Sequence, residues 1–144
     1  GAAASAKAFQ SMGARLLRDE VAVLPGGLQV AAVDDTRTAD LSAEEVSAVL
    51  ARLDPSKPSL FLSHQPMYFE AAARARVGLM LCGHTHQGQI WPFSLIVRLV
   101  YPWFHGLYRQ GASLLYVTSG TGQWGPPMRL FTRAEIVRFT LRRG

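Results

Sequence analysis

The 144-residue chain contains no asparagine and one cysteine, Cys82. A lone thiol excludes an intramolecular disulfide framework, so cysteine usage does not point to an oxidising compartment, and a single reduced thiol suits the cytoplasm. Acidic residues almost vanish from the second half. Residues 71–144 hold only Glu135, against nine acids in residues 1–70, and the two halves carry charge balances of +8 and −3. A basic half suits an anionic substrate, a phospholipid surface or nucleic acid, or is simply a solvated arginine-rich face. No RNP-like or helix-turn-helix signature is present, so a nucleic-acid partner is not expected. There is no apolar run of the ~20 residues a bilayer span requires. The most apolar segment, Ile90 to Tyr108, is interrupted by Pro92, Arg98 and Pro102. No signal-peptide pattern opens the chain, where Lys7 is the only early charge, and the first residue is Gly1. That start reads as a processed chain or an excerpt of a longer one, with the excerpt preferred.

What is present is globular. Hydrophobic residues make up 49% and charged residues 17%, which places the chain outside the disordered class and gives one domain or part of a larger one. Alanine-rich residues 2–13 read as a helix, with Phe9 and Met12 at helical spacing. Alternation from Arg15 to Leu24, the Pro25-Gly26-Gly27 turn and Leu28 to Val33 predict a β-hairpin. Ser42 and Glu45 have capping-box spacing, and the helix they open should stop near Leu53, before Asp54-Pro55. Ser59 to Ser63 and Gly78 to Cys82 are short apolar strands, with a helix from Met67 to Arg76 between them. Leu114 to Thr118 is a further strand, Ser119 to Pro127 a Gly/Pro-rich loop, and Glu135 to Leu141 the last strand. This rhythm predicts an α/β fold. Loops leaving strand C-termini in such folds usually carry the site.

Both loops of that kind carry histidine. His64 follows the first short strand, and Gly83-His84-Thr85-His86 follows the second. Neutral imidazole is the commonest metal ligand. A His-x-His pair on extended backbone can aim both rings at one region, and Gly83 and Gly88 would let the chain turn before and after it. His64 alone is as readily a surface or satisfied core residue; the Gly-His-Thr-His-Gln-Gly-Gln run is much harder to explain without a ligand. His105, among aromatics with no second motif nearby, reads as structural.

Leu62-Ser63-His64-Gln65-Pro66 and Leu81-Cys82-Gly83-His84-Thr85-His86-Gln87-Gly88-Gln89 resemble the last two metal-binding motifs of the calcineurin-like metallophosphoesterases. More narrowly they are similar to a bacterial, often membrane-anchored subgroup, in which Gly-His-Thr-His-Gly-Gly-Gln is typical and Gln87 stands here for the first of the two glycines. Gly106 to Arg109, Ser119 to Arg129 and Glu135 extend the resemblance over nearly the whole chain. It implies the C-terminal half of a four-layer α/β/β/α sandwich. It also implies that His64 and His84 serve one metal and His86 a second, with Mn, Zn or Fe as the divalent ions. Two such ions ~3.5–4 Å apart would clamp a phosphate and activate a hydroxide for in-line attack on a phosphomonoester or phosphodiester. Arg109 and Arg129 are candidate phosphate contacts, or surface cations.

The family's Asp-x-His, Gly-Asp-x-x-Asp and Gly-Asn-His-Asp/Glu motifs are absent, and with no asparagine the amide ligand is missing. Residues 1–144 therefore read as a single partial domain that begins just past the third motif. Its activity alone should be weak or nil, and its exposed sheet edges call for the missing N-terminal half or self-association. The rival reading is a non-catalytic metal- or membrane-binding half-domain. The substrate implied is a phosphate ester, amphiphilic or lipid-linked if the aromatic, arginine-flanked segment 90–108 meets a membrane surface; alternatively that segment packs on the sheet and the missing half. A cytoplasmic location, or a peripheral one at the inner face of the membrane, follows from the same reasoning.

Overall fold

The computed structural model describes residues 2–142. Helix α1 (Ala2–Ser11) precedes the hairpin β1 (Glu20–Val23) and β2 (Gln29–Ala32). Then come α2 (Ala43–Leu50), β3 (Ser59–Leu62), α3 (Phe69–Arg74) and β4 (Leu79–Cys82), followed by a 3-10 turn at His86–Gly88. Helix α4 (Phe93–Val100) and the hairpin β5 (Gly106–Gln110) and β6 (Ser113–Val117) complete the elements.

All six strands form one sheet in the order β1-β2-β3-β4-β6-β5. The four inner strands run parallel, and β1 and β5 close the two edges antiparallel. Register places Val21, Ala31, Phe61, Met80, Leu115 and Tyr108 in one row across the sheet. That row faces the main core, where Phe61, Met80 and Leu115 pack with Val46 and Leu50 of α2 and Phe69 and Ala72 of α3. Each large apolar side chain fully removed from water there contributes roughly 1.5–3 kcal/mol before entropy is counted. The alternate rows point the other way, and that face is only partly covered: Leu62 is 37% exposed and Leu107 62%. An α/β sheet with helices on one face and a half-covered apolar second face is the half-sandwich that the resemblance implies.

Helix α2 starts as its sequence predicts. The Ser42 side chain accepts from the Glu45 N–H at 3.2 Å, and the Glu45 carboxylate accepts from the Ser42 N–H at 2.8 Å, a complete capping box. Ser42 is exposed, so the box acts by satisfying orphan helix donors rather than by burial, a contribution of ~1 kcal/mol.

The structure departs from two sequence-based expectations here. Glu135 to Leu141 forms no strand. Its alternating pattern finds no partner edge, and the segment is tethered instead by the Glu135 N–H donating to the Gly120 carbonyl at 3.1 Å and by Phe139 stacking edge-on to Tyr116 at 5.4 Å. Segment 90–108, assigned to no element from the sequence, supplies α4 and the start of β5. The β5–β6 hairpin, not anticipated from the sequence, turns at Gly111, whose left-handed φ of 60° a tight hairpin needs. Gly83 does not make the turn before the histidine pair, because its φ is not left-handed and it packs against Thr118. His84 turns instead, at φ 68°. Among the described residues, no helix is long and apolar enough to cross a membrane.

Candidate metal centre

Parallel pairing of β3 with β4 brings their C-terminal loops side by side, and those loops carry the histidines. The Gly83 N–H donates to the His64 carbonyl at 3.0 Å, tying one loop to the other. The Thr85 N–H then donates back to the Gly83 carbonyl at 2.8 Å, closing a three-residue turn centred on His84. This turn throws the His84 ring toward β3. Its Nδ1 lies 3.0 Å from His64 Nε2, with the rings edge-on at 84°. On its other side His84 Nε2 lies 2.8 Å from the Tyr101 hydroxyl, at the end of α4. Imidazole, imidazole and phenol thus form a chain in which His84 donates one hydrogen bond and accepts the other, the tautomer setting the direction.

His86 is not part of that chain. Its backbone also sits in the left-handed region, at φ 49°, so the pair is not on extended backbone. The His86 Nδ1 is buried with no hydrogen-bond partner, an arrangement that costs free energy unless something else satisfies it. Burial lowers the pKa of both His84 and His86. His64 adds to the shift for His84 and the Arg129 charge for His86. Both rings are therefore held neutral near pH 7, the form that ligates metal.

Arg129 is placed close by, but its guanidinium is committed to backbone. It donates to the carbonyls of Ser119 at 2.9 Å, Gly120 at 3.2 Å, Gly122 at 2.6 Å and His86 at 3.3 Å. It clamps the 119–129 loop over the second histidine loop, and Gln89 does the same from below, bonding the Trp124 N–H at 2.9 Å and the Trp124 carbonyl at 2.7 Å. Arg109 is not brought to the histidines. It pairs with Leu114 near the start of β6, whereas the histidine loops leave the opposite end of the parallel strands.

Three residues without a role in the sequence reading stand at the site. Tyr101 is one. Asp35 is another: its carboxylate accepts from Gln65 Nε2 at 2.7 Å and from the Thr38 hydroxyl at 2.6 Å. Burial pushes the Asp35 carboxyl up, but those hydrogen bonds, a backbone N–H and the nearby His64 outweigh it and hold it below its ordinary range. The third, Arg37, lies near enough to His84 to lower its pKa. The spacing of Gln65 immediately after His64 was the available signal for Asp35, since a buried amide needs a partner.

Imidazole nitrogens held neutral, and an orphaned buried Nδ1, are suitable donors for a borderline divalent cation. Among the described residues, no three His, Cys, Asp or Glu side chains are gathered closely enough to hold one. Of the histidines named from the sequence, His64 and His84 are the two whose ring nitrogens meet, at 3.0 Å.

Glu135 fastens this loop end to β6. It accepts from the Ser119 N–H at 2.9 Å, and His105 Nε2 lies 3.3 Å from its carboxylate. Burial raises its pKa, but the hydrogen bonds and His105 outweigh this and leave it below the ordinary 4.5. A depressed carboxyl stabilises the fold above the unfolded-state pKa, and the gain is lost as pH falls through the folded-state value. Thermal unfolding is thus expected to show an acid-side loss of stability below about pH 4.5 that is smaller in Glu135→Gln. Equal losses in the two proteins would assign the acid sensitivity elsewhere.

Comparison with known proteins bears on the family. No family model and no solved structure matches the chain. Among curated proteins, an uncharacterized metallophosphoesterase of Helicobacter pylori strain J99 is 39% identical over 120 residues, covering 81% of this chain and 32% of that protein. A bovine transmembrane protein with a metallophosphoesterase domain is 40% identical over 100 residues, 67% of this chain and 22% of its own length. An uncharacterized metallophosphoesterase of Aquifex aeolicus is 31% identical over 140 residues, 93% of this chain and 53% of its own length. The chain belongs to the calcineurin-like metallophosphoesterase superfamily. It spans about a third of the length of the Helicobacter relatives it matches.

Proposed function

We propose that this chain supplies part of the active site of a divalent-metal-dependent phosphoric ester hydrolase, with His64 and His84 as ligands of one ion and His86 directed to another. The observation that carries the reading is the 3.0 Å approach of His64 and His84 on loops leaving adjacent parallel strands. A bound divalent ion would supply Lewis-acid stabilisation of charge on the phosphoryl oxygens. The chain's own residues do the rest of what is visible. Tyr101 holds the His84 ring in one orientation, which fixes the direction of its lone pair. Asp35 holds Gln65 and through it the backbone carrying His64. Arg129 and Gln89 hold the loop over His86 in place.

With only two rings converging, affinity for metal is expected to be modest and turnover by the chain alone weak or nil. Zinc or manganese titration by calorimetry near pH 7.5, followed by hydrolysis of bis(p-nitrophenyl) phosphate, tests this. Saturable binding of the metal with little turnover is the expected outcome. Absence of binding to the folded chain would remove the metal-site reading. Full metal-dependent turnover would show that the site is complete as it stands.

A second reading is favoured by α4. None of its residues is buried, and Leu95, Ile96, Leu99 and Val100 are 58%, 55%, 87% and 65% exposed. With no acid between Glu70 and Glu135, this face suits an anionic lipid surface. Co-sedimentation with phosphatidylglycerol vesicles at low salt would support it, and no co-sedimentation would exclude it.

A further inference from the structure

A cavity of ≈ 600 Å³ lies between α2, the start of α3 and the strap Val100 to Trp103. Of its lining, Tyr101 and Arg37 also act on His84. Its apolar wall is made by Met67, Tyr68, Phe69 and Trp103, and Tyr101 closes one side. Tyr101 is also the residue whose hydroxyl lies 2.8 Å from His84 Nε2, so the cavity and the histidine pair share a wall. Pro66 and Met67, which also line it, follow His64 by two and three positions. The cavity therefore opens beside the place where a phosphoryl group would meet the histidines.

The lining is specific in kind. Tyr68, Phe69, Tyr101 and Trp103 are aromatic, and Trp103 is braced: it packs edge-on to Phe69 at 5.3 Å and to Tyr108 at 5.2 Å. Tyr68 is held at φ 64°, a left-handed conformation that a bulky residue adopts only when its surroundings impose it. Arg37 and Arg74 line the cavity with a single acid, Glu70. The volume falls in the ~300–1,000 Å³ range of small-molecule sites, and an apolar wall with a few charged groups is their usual make-up. Inorganic phosphate would leave most of it empty.

We propose that this cavity is the leaving-group subsite: it takes a flat aromatic substituent of the phosphoester, with a further anionic group on that substituent directed to Arg37 and Arg74. The proposal rests on the reading of His64 and His84 as the phosphate end. Rings pack edge-to-face on the four aromatic side chains, and the guanidinium groups favour an anion at the rim. The two ends of the substrate would then be divided between the histidine loops and the α2–α3 groove.

The test is calorimetric binding, not turnover. The zinc-loaded full chain is titrated with 1-naphthyl phosphate, with 1-naphthol and with inorganic phosphate. Ser47→Trp fills the cavity from the exposed face of α2, and Arg74→Ala removes one rim charge; neither residue touches the histidines. The expected result is at least ~10-fold tighter binding of 1-naphthyl phosphate than of inorganic phosphate, a margin that one well-packed ring readily supplies. Ser47→Trp should abolish that margin while zinc and inorganic phosphate still bind. Arg74→Ala should weaken a sulfonated naphthyl phosphate more than the plain one. Equal affinity for 1-naphthyl phosphate and phosphate in a chain that binds zinc would overturn the subsite and leave the metal reading standing. So would a preference that survives Ser47→Trp. Naphthyl binding that Ser47→Trp removes, in a chain that binds neither zinc nor phosphate, would overturn the leaving-group role together with the metal reading.

Discussion

His84→Ala is expected to weaken zinc binding by ~100-fold or more, with little change in unfolding temperature. Loss of an outer-shell partner alone typically costs 10–100-fold in metal affinity, and this substitution removes two things at once. It deletes one nitrogen donor. It also deletes the group that orients the other, because His64 Nε2 has His84 Nδ1 as its partner at 3.0 Å. The fold should tolerate the change, since His84 is outside the hydrophobic core cluster and alanine would occupy the same left-handed backbone the histidine already strains to hold. Tyr101→Phe is the graded control. It keeps both rings and the aromatic wall, and removes only the hydroxyl 2.8 Å from His84 Nε2, so a loss nearer ~10-fold is expected. Calorimetric zinc titration of the three proteins checks both values. Wild-type affinity in His84→Ala would mean that the metal does not sit at this pair. Equal losses in His84→Ala and Tyr101→Phe would mean that orientation, not ligation, limits binding.

The parts of this fold that were legible in sequence are those fixed by local chemistry. The Ser42–Glu45 box, the Pro25-Gly26-Gly27 turn and the two short apolar strands before the histidines each depend on neighbours in the chain, and each stands where expected. What was not legible depends on contacts across the fold. Tyr101 lies 17 residues from His84 in sequence and reaches it only because α4 returns the chain over the site. Asp35 lies 30 residues from Gln65 and meets it only through the parallel pairing of β2 with β3. Arg129 is an arginine near an anion site by sequence, but its donors go to carbonyls of the loop it closes. Glu135 to Leu141 has strand alternation without a partner strand, and alternation describes a strand only where an edge is available to pair with it.

The second large effect is expected at Gly88, the glycine that the backbone around the histidines cannot replace. His84, His86, Gln87 and Gln89 all lie at positive φ, between 49° and 68°, and Gly88 joins them at 75°. The non-glycine residues tolerate this at a cost of order 1–2 kcal/mol each. Gly88 has a second constraint: a Cβ there would lie 2.3 Å from the Ser94 Cα and 2.5 Å from its Cβ, because α4 starts against this turn. The atoms in the way are backbone and the root of a side chain, so nothing rotates aside. Gly88→Ala is therefore expected to destabilise the chain by ~3–5 kcal/mol, or to detach α4 and with it Tyr101. Gly27→Ala separates the two causes. Gly27 has φ 88° but nothing within 4 Å of the added Cβ, so only the conformational cost of ~1–2 kcal/mol applies. Gln87→Gly tests the same strain with the opposite sign: at φ 54° and ψ 29° glutamine pays what glycine does not, and a gain of up to ~1 kcal/mol is expected there. Urea unfolding midpoints for the three variants decide it. A Gly88→Ala loss no larger than that of Gly27→Ala would mean that α4 does not press on this turn in solution, and the path from α4 through Tyr101 to His84 would lose its mechanical basis.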